Sequence, residues 1–389
     1  MAAGLAGGGL LLRPTAALAA IPTRHLTPTI LDPRTQPTAY ALSAATGVNA
    51  AGEVTGWYGA QGLNAFTWTS SRGLRLLREF GARATGINAQ GQIIGRLEIR
   101  DRPSVGFVYR DDRITLLPTG FIPIMQNDRG QVVGNADGPD VAREGLLLWE
   151  NGIITDLARL LPSYRNGVPI AINNAGQILA SFSMLNGLDI LTGGGLYDNG
   201  LWRDLGVLVR GRGISTYPRA LGEDGVVVGG ADTGARNGDG LLQPTPFRWE
   251  DGQLTDLGDP GPQQRGATAS ALNRHGQILI DTEDFRTGAT YLWDAGTAVQ
   301  ISPDGGPLAF RGYALTDSGI ALYGRIYTDN AGFAWRGGVS AWLDGINGFT
   351  TSQYRPLWRV NESGLVAASA TWPPNTPRRA AVYQVPATL

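Results

Sequence analysis

The sequence predicts an all-β chain: an eight-bladed β-propeller of four-stranded antiparallel blades, closed by an N-terminal strand that completes the last blade. Three observations carry this. An apolar strand, an Asn-x-x-Gly phrase and a second apolar strand return eight times, with the turn glycines at Gly52, Gly91, Gly130, Gly176, Gly225, Gly276, Gly319 and Gly364. The steps of 39 to 51 residues are those of units that bury their apolar faces only by stacking on a neighbour. Finally, 56 glycines among 389 residues, at 42% hydrophobic content, supply a large core cut by frequent tight turns, which favours short strands over long helices.

The turns come first. Six of the eight open with Asn, at Asn49, Asn88, Asn127, Asn173, Asn273 and Asn361. An Asn at the first position of a type I turn caps the backbone two residues on, and a glycine at the fourth takes the left-handed conformation that closes a three-residue hairpin. Each phrase therefore joins strand one to strand two. Second strands such as Gln92-Ile-Ile-Gly-Arg96 and Gln131-Val-Val-Gly-Asn135 are apolar runs suited to cover on both faces. The small residue four places after the turn glycine (Gly56, Gly95, Gly134, Ala180, Gly229, Ala368) predicts close approach of a neighbouring sheet, a rule that Ile280 and Tyr323 break.

An aromatic third strand follows, as in Phe66-Thr-Trp68, Phe247-Arg-Trp249 and Phe333-Ala-Trp335. Residues i and i+2 share a strand face, and each buried ring contributes about 4 to 6 kcal/mol before entropy is subtracted. Fourth strands such as Ile154-Thr-Asp-Leu157 and Leu254-Thr-Asp-Leu257 end the units. The last unit stops six residues after Tyr383, while residues 26–31 precede the first unit without a partner. Joined, they make one blade and remove an exposed edge. The expected organisation is a leader over 1–23 and a single propeller domain over 24–389.

These motifs resemble the extracellular HAF-repeat proteins, whose units look like Gly-x-Asn-x-x-Gly-Gln-Val-x-Gly, His-Ala-Phe-x-Trp and Thr-Asp-Leu-Gly. The matching residues are Gly86-Ile-Asn88 with Gly91-Gln-Ile-Ile-Gly95, Asn64-Ala-Phe66-Thr-Trp68 and Thr255-Asp-Leu-Gly258. The match runs from about Ala45 to Tyr383. The His of the family phrase is absent, with Asn64, Val105 or Pro246 in its place. The resemblance implies a secreted or surface-exposed β-structure and brings no catalytic set.

Composition narrows the chemistry. No Lys occurs, so all 32 basic residues are Arg, which excludes a Walker lysine, a pyridoxal Schiff base and a kinase ion pair. The absence of Cys excludes disulfides, thiolate nucleophiles and sulfur-ligated zinc. A net charge of -1 gives no global field for nucleic acid or an anionic membrane. Residues 1–20, ending Ala17-Leu18-Ala19-Ala20, resemble the apolar centre and cleavage region of a secretory signal without its positive start. The secretory reading leads, with a disordered leader or a misplaced start codon as the alternative. No later segment has the ~20 apolar residues of a membrane helix. The expected state is a monomer without cofactor or metal.

Neither His25 nor His275 belongs to a nucleophile motif, and no Gly-x-Ser-x-Gly elbow, strict Gly-x-Gly-x-x-Gly or calcium loop occurs. Binding candidates fall on the rim opposite the turns. Arg83, Arg165, Arg219, Arg265, Arg311 and Arg355 stand three to eight residues ahead of their repeats' Asn position, and guanidinium forks around one funnel suit carboxylate, sulfate or phosphate. The alternative pairs them with rim acids: Glu98, Asp101, Asp232, Asp239, Asp281, Glu283 and Asp284. Trp57 and Tyr58, with Tyr217, Tyr313 and Trp372 nearby, offer rings for stacking on sugars or for capping the core. The leading expectation is a secreted binding module for an anionic or carbohydrate-like ligand or a surface protein. The alternative is a polysaccharide lyase or glycoside hydrolase using Asp281, Glu283, Asp284 or Tyr217, since glycoside hydrolysis needs two carboxyls about 5 to 9.5 Å apart.

Overall fold

The structure, a computed structural model, describes residues 22–31, 42–59, 64–77, 81–98, 104–136, 145–158, 165–186, 189–209, 214–236, 240, 242–262, 265–282, 288–303, 310–325, 331–346, 358–371 and 377–389. Strands follow strands throughout, and among the described residues no helix is long and apolar enough to cross a membrane. Eight four-stranded antiparallel blades form a ring, a β-propeller. Blades 1 to 8 occupy residues 42–76, 82–116, 121–156, 165–204, 216–256, 267–300, 310–343 and 359–384.

The turns form as the sequence predicts. All eight glycines have positive φ, from 75° at Gly91 to 89° at Gly176, where any Cβ would be strained. Each amide donates to the carbonyl three residues back, as Gly91 does to Asn88 at 3.0 Å. The Asn Oδ1 caps the turn from within: Gln90 N and Gln92 N donate to Asn88 at 3.1 and 2.9 Å.

The same side chains also stitch the blades together. Asn Nδ2 donates to the equivalent carbonyl of the next blade, from Asn49 to Asn88, Asn88 to Asn127, Asn127 to Asn173, Asn173 to Gly222, Asn273 to Thr316 and Asn361 to Asn49, all at 2.9 to 3.2 Å. The last of these joins blade 8 to blade 1 and closes the circle. A second belt runs through the following residue, whose amide donates to the next blade's side chain: Ala89 to Asp128, Asp128 to Asn174, Asn174 to Glu223, Arg274 to Asp317 and Asp317 to Glu362.

Each of the eight seams buries an apolar cluster. The seam between blades 8 and 1 unites Ala367, Ala380 and Val382 with Ala45, Val54 and Phe66. The third-strand aromatics face the preceding blade as expected: Phe247 packs on Leu179 and Leu196, and Phe333 on Leu279 and Ile301. The second-strand glycines need a correction. A Cβ on Gly56 or Gly229 would strike the carbonyl of Ala44 or Tyr217 in its own blade's first strand and the ring of its own Phe66 or Phe247. The tight approach thus comes from within the blade, where the first strand shifts register beside the glycine, and not from a neighbouring sheet. Where Ile280 and Tyr323 replace the glycine, the larger side chain joins the core, Tyr323 stacking on Phe333 at 5.1 Å.

The N-terminal strand closes the ring, with one difference. Thr29–Ile30 pairs antiparallel with Arg379–Gln384 of blade 8, as expected. Arg24–Leu26 instead adds a fifth, parallel strand to Val339–Leu343 of blade 7. His25 Nδ1 meets Asp344 Oδ1 at 2.6 Å and Trp342 Nε1 donates to the Pro22 carbonyl at 2.9 Å. Pro28 lies between the two pieces and has no N–H to continue one ladder, so the segment steps from one blade to the next.

Candidate functional site: a cationic cluster on the rim

The rim opposite the turns is formed where first strands begin and second strands end. Its best-defined cluster spans blades 8, 1 and 2. In blade 2, Arg83 on Ala82–Ile87 lies directly opposite Arg96 on Ile93–Leu97. Facing residues of an antiparallel pair share a side of the sheet and sit about 5 Å apart at Cβ, so two like charges are forced together. Glu98, two residues beyond Arg96 and so on the same face, bridges them: its Oε1 lies 3.1 Å from Arg96 Nη2, 3.2 Å from Arg96 Nε and 3.4 Å from Arg83 Nε.

Trp57 forms the floor. It lies within Val54–Gly59 of blade 1 and is 6% exposed, with the Arg83 Cζ 4.4 Å above its ring centroid. A cation over an indole face gains about 0.5 to 2 kcal/mol. A third guanidinium belongs to Arg378, which immediately precedes the third strand of blade 8, Arg379–Gln384; its carbonyl accepts from Ser43 N of blade 1 at 3.3 Å. Burial lowers the Arg83 pKa, Glu98 opposes that, and the charges of Arg96 and Arg378 lower it further. Burial likewise lowers Arg378. The Nε atoms of Arg83 and Arg378 are both buried without a hydrogen-bond partner among the described residues. Among the described residues three cations thus face one carboxylate, and two buried Nε donors make no hydrogen bond, that of Arg83 lying 3.4 Å from Glu98 Oε1. Buried donors in that state cost about 1 to 3 kcal/mol each, and an anion on the rim would supply their acceptors.

The other expected residues lie elsewhere. Tyr58 packs into the apolar seam between blades 8 and 1. Arg311 occupies the position in blade 7 equivalent to Arg83, opposite Gly324. Arg219 and Arg265 are exposed in blade 5 and before blade 6. Arg165 begins the first strand of blade 4, with its side chain outside the described set. Arg355, Glu283, Asp284, Asp101, Asp239 and Trp372 lie outside the described residues. The described arginines therefore do not stand as one ring of equivalent positions.

Asp281, the foremost catalytic candidate, is 4% exposed and joins two blades: its Oδ1 accepts from Thr290 Oγ1 and from Gly312 N of blade 7, both at 2.8 Å. Burial pushes its pKa up to about 7, against the hydrogen bonds and the Arg311 charge that lower it. Tyr217 donates to Asp232 Oδ2 at 3.2 Å, and burial raises both groups, so at neutral pH the phenol is a proton donor and not a base. Among the described residues no group of three or more His, Cys, Asp or Glu is placed to hold a metal.

Arg96 and Arg378 were not among the expected site residues. Arg96 follows from register, since Ala84 pairs with the small Gly95. Arg378 follows from aligning the last repeat on Tyr383, which puts it at the rim end of the third strand.

No family model matches the chain, and no curated relative does. Solved structures resemble it. One of two prolyl endopeptidases aligns with a TM-score of 0.54 at 12% identity, over 85% of this chain and 52% of that one. Prolyl oligopeptidase B from Galerina marginata aligns with a TM-score of 0.50 at 8% identity, over 85% and 56%. The chain thus spans about half the length of each. At such identities the likeness is one of fold alone, and what it establishes is the propeller.

Proposed function

We propose that this propeller is an exported binding module of the HAF-repeat kind that takes an anionic, carbohydrate-like ligand on its rim where blades 8, 1 and 2 meet. One observation carries this: the guanidinium of Arg83 lies over the Trp57 ring, the charges of Arg96 and Arg378 act on it from two other strands' ends, and among the described residues Glu98 is the one carboxylate paired with the group. Structural arginines are normally matched by acids, as Arg274 is by Asp317 at 2.6 Å on the turn face. An excess of positive charge at a partly dry site favours an incoming anion, and the rigid ring fixes the three forks in place beforehand.

Isothermal titration of the full chain with trigalacturonate at low salt tests the proposal. Binding is expected, weakening as salt is raised, and is lost in the Arg83→Ala/Arg378→Ala double variant with thermal stability retained. An unchanged isotherm in that variant overturns it. Shortening of the trimer during incubation would favour a lyase or hydrolase instead.

A further inference from the structure

Glu98 is held unevenly. Its backbone amide donates to the Gly81 carbonyl, which fixes where the residue leaves the strand. Its side chain is 36% exposed, so water borders it on one side. All three of its close contacts with Arg83 and Arg96 converge on Oε1, and among the described residues no donor reaches Oε2. A carboxylate built only to neutralise two arginines would engage them with both oxygens, because the parallel fork is the stronger geometry. One oxygen shared by two guanidiniums is a weaker hold, and it leaves the third cation, Arg378, without a hydrogen-bonded counter-ion among the described residues.

We infer that Glu98 is an internal stand-in for the ligand, that the ligand presents a carboxylate such as that of a uronate sugar, and that Glu98 turns out to water when this group takes its place against Arg83 and Arg96. The inference rests on the binding function proposed above and sharpens it. The planar acceptor already seated between the two forks is the chemistry the site matches. Sulfate or phosphate would meet the same charge without repeating the carboxylate that Arg83 and Arg96 already hold. Removing the stand-in removes the competitor, so Glu98→Gln should tighten binding although it deletes a polar contact of the free protein.

The test titrates wild type, Glu98→Gln, Glu98→Ala and Arg83→Ala with trigalacturonate and with a sulfated galactose trimer, each variant checked by thermal unfolding. Binding of the uronate should tighten by about tenfold in both Glu98 variants, the scale of one exchanged charge-assisted contact, and should vanish in Arg83→Ala. If wild type binds and Arg83→Ala does not, while both Glu98 variants bind equally or more weakly, the stand-in is overturned and the binding function survives. Stronger binding of the sulfated trimer than of the uronate overturns the carboxylate assignment. No binding by wild type or by either Glu98 variant overturns the binding function itself.

Discussion

The seam between blades 3 and 4 and the seam between blades 5 and 6 solve the same problem by different means. At the first, Asn127 Nδ2 reaches the Asn173 carbonyl, the Asp128 amide reaches Asn174 Oδ1, and Asn174 Nδ2 returns a bond to Asp128 Oδ2 at 2.9 Å. At the second, Gly222 has no side chain to donate, and the residue facing the Glu223 amide is Arg274, which has no acceptor. Among the described residues this seam has no stitch on the turn face. Its buried apolar cluster is larger: ten residues, from Val226 to Ala298, against seven between blades 3 and 4. Burial does at one seam what directional bonds share at the other. The ring is closed by equivalent geometry without equivalent chemistry.

The largest test of that contrast removes the apolar support. Ile280 is fully buried between blades 5 and 6, and Ile280→Ala should cost about 4 kcal/mol, a buried truncation that the rigid surroundings cannot collapse around. Urea denaturation should show a lower midpoint at unchanged slope. A loss below about 1 kcal/mol would mean that this seam is held by something other than its core.

Next door, blades 6 and 7 are stitched on both faces, and the rim-side stitch titrates. The folded pKa of Asp281, about 7, lies above its unfolded value of 3.8, so the native state binds the extra proton between these values. Stability therefore falls as pH rises from about 4 through about 7, by on the order of 3 to 4 kcal/mol. Asp281→Asn keeps an acceptor for Gly312 N and removes the charge. Its denaturation free energy should lose this slope and exceed that of wild type above pH 7; an unchanged slope would place the titration elsewhere. At the stitched seam, Asn127→Ala strips caps from Arg129 N and Gln131 N together with the bond to Asn173. It should cost about 3 kcal/mol in the same assay, since two or more buried backbone groups lose their partners.

These contrasts also mark how far the sequence could be read. The blades, the turns and the positive-φ glycines follow from local rules, because Asn-x-x-Gly carries its own geometry. The inward-facing Phe66, Phe247 and Phe333 follow from strand alternation. The second belt does not, because its position holds Ala89, Asp128, Asn174, Glu223, Arg274, Asp317 and Glu362, and it acquires meaning only when each residue is set beside the next blade's. The rim cluster is harder still. Trp57, Arg83 and Arg378 come from opposite ends of the chain and meet only because the ring closes. Trp57 reads as a ring for stacking on a sugar yet lies in a strand under Arg83, and Asp281 reads as a rim acid yet holds two blades together. Side-chain direction at a strand end depends on the register shift of the facing strand, which no local pattern announces.

The smallest effect asks whether a stitch can be restored at the bare seam. Gly222 is not in a positive-φ conformation, so an L residue is allowed there, but a Cβ would press on Asp224 Oδ1, the atom that caps the Val226 amide in place of the missing Asn. A single Gly222→Asn change would set two caps against each other. With Asp224→Ser, the small hydroxyl that Ser318 and Ser363 already supply at this turn position, the new Asn can cap Val226 N and extend Nδ2 to the Asn273 carbonyl, as Asn173 does to Gly222. The double variant should gain about 1 kcal/mol, seen as a higher urea midpoint. A loss instead would show that blades 5 and 6 are packed too closely over their larger core to accept the stitch.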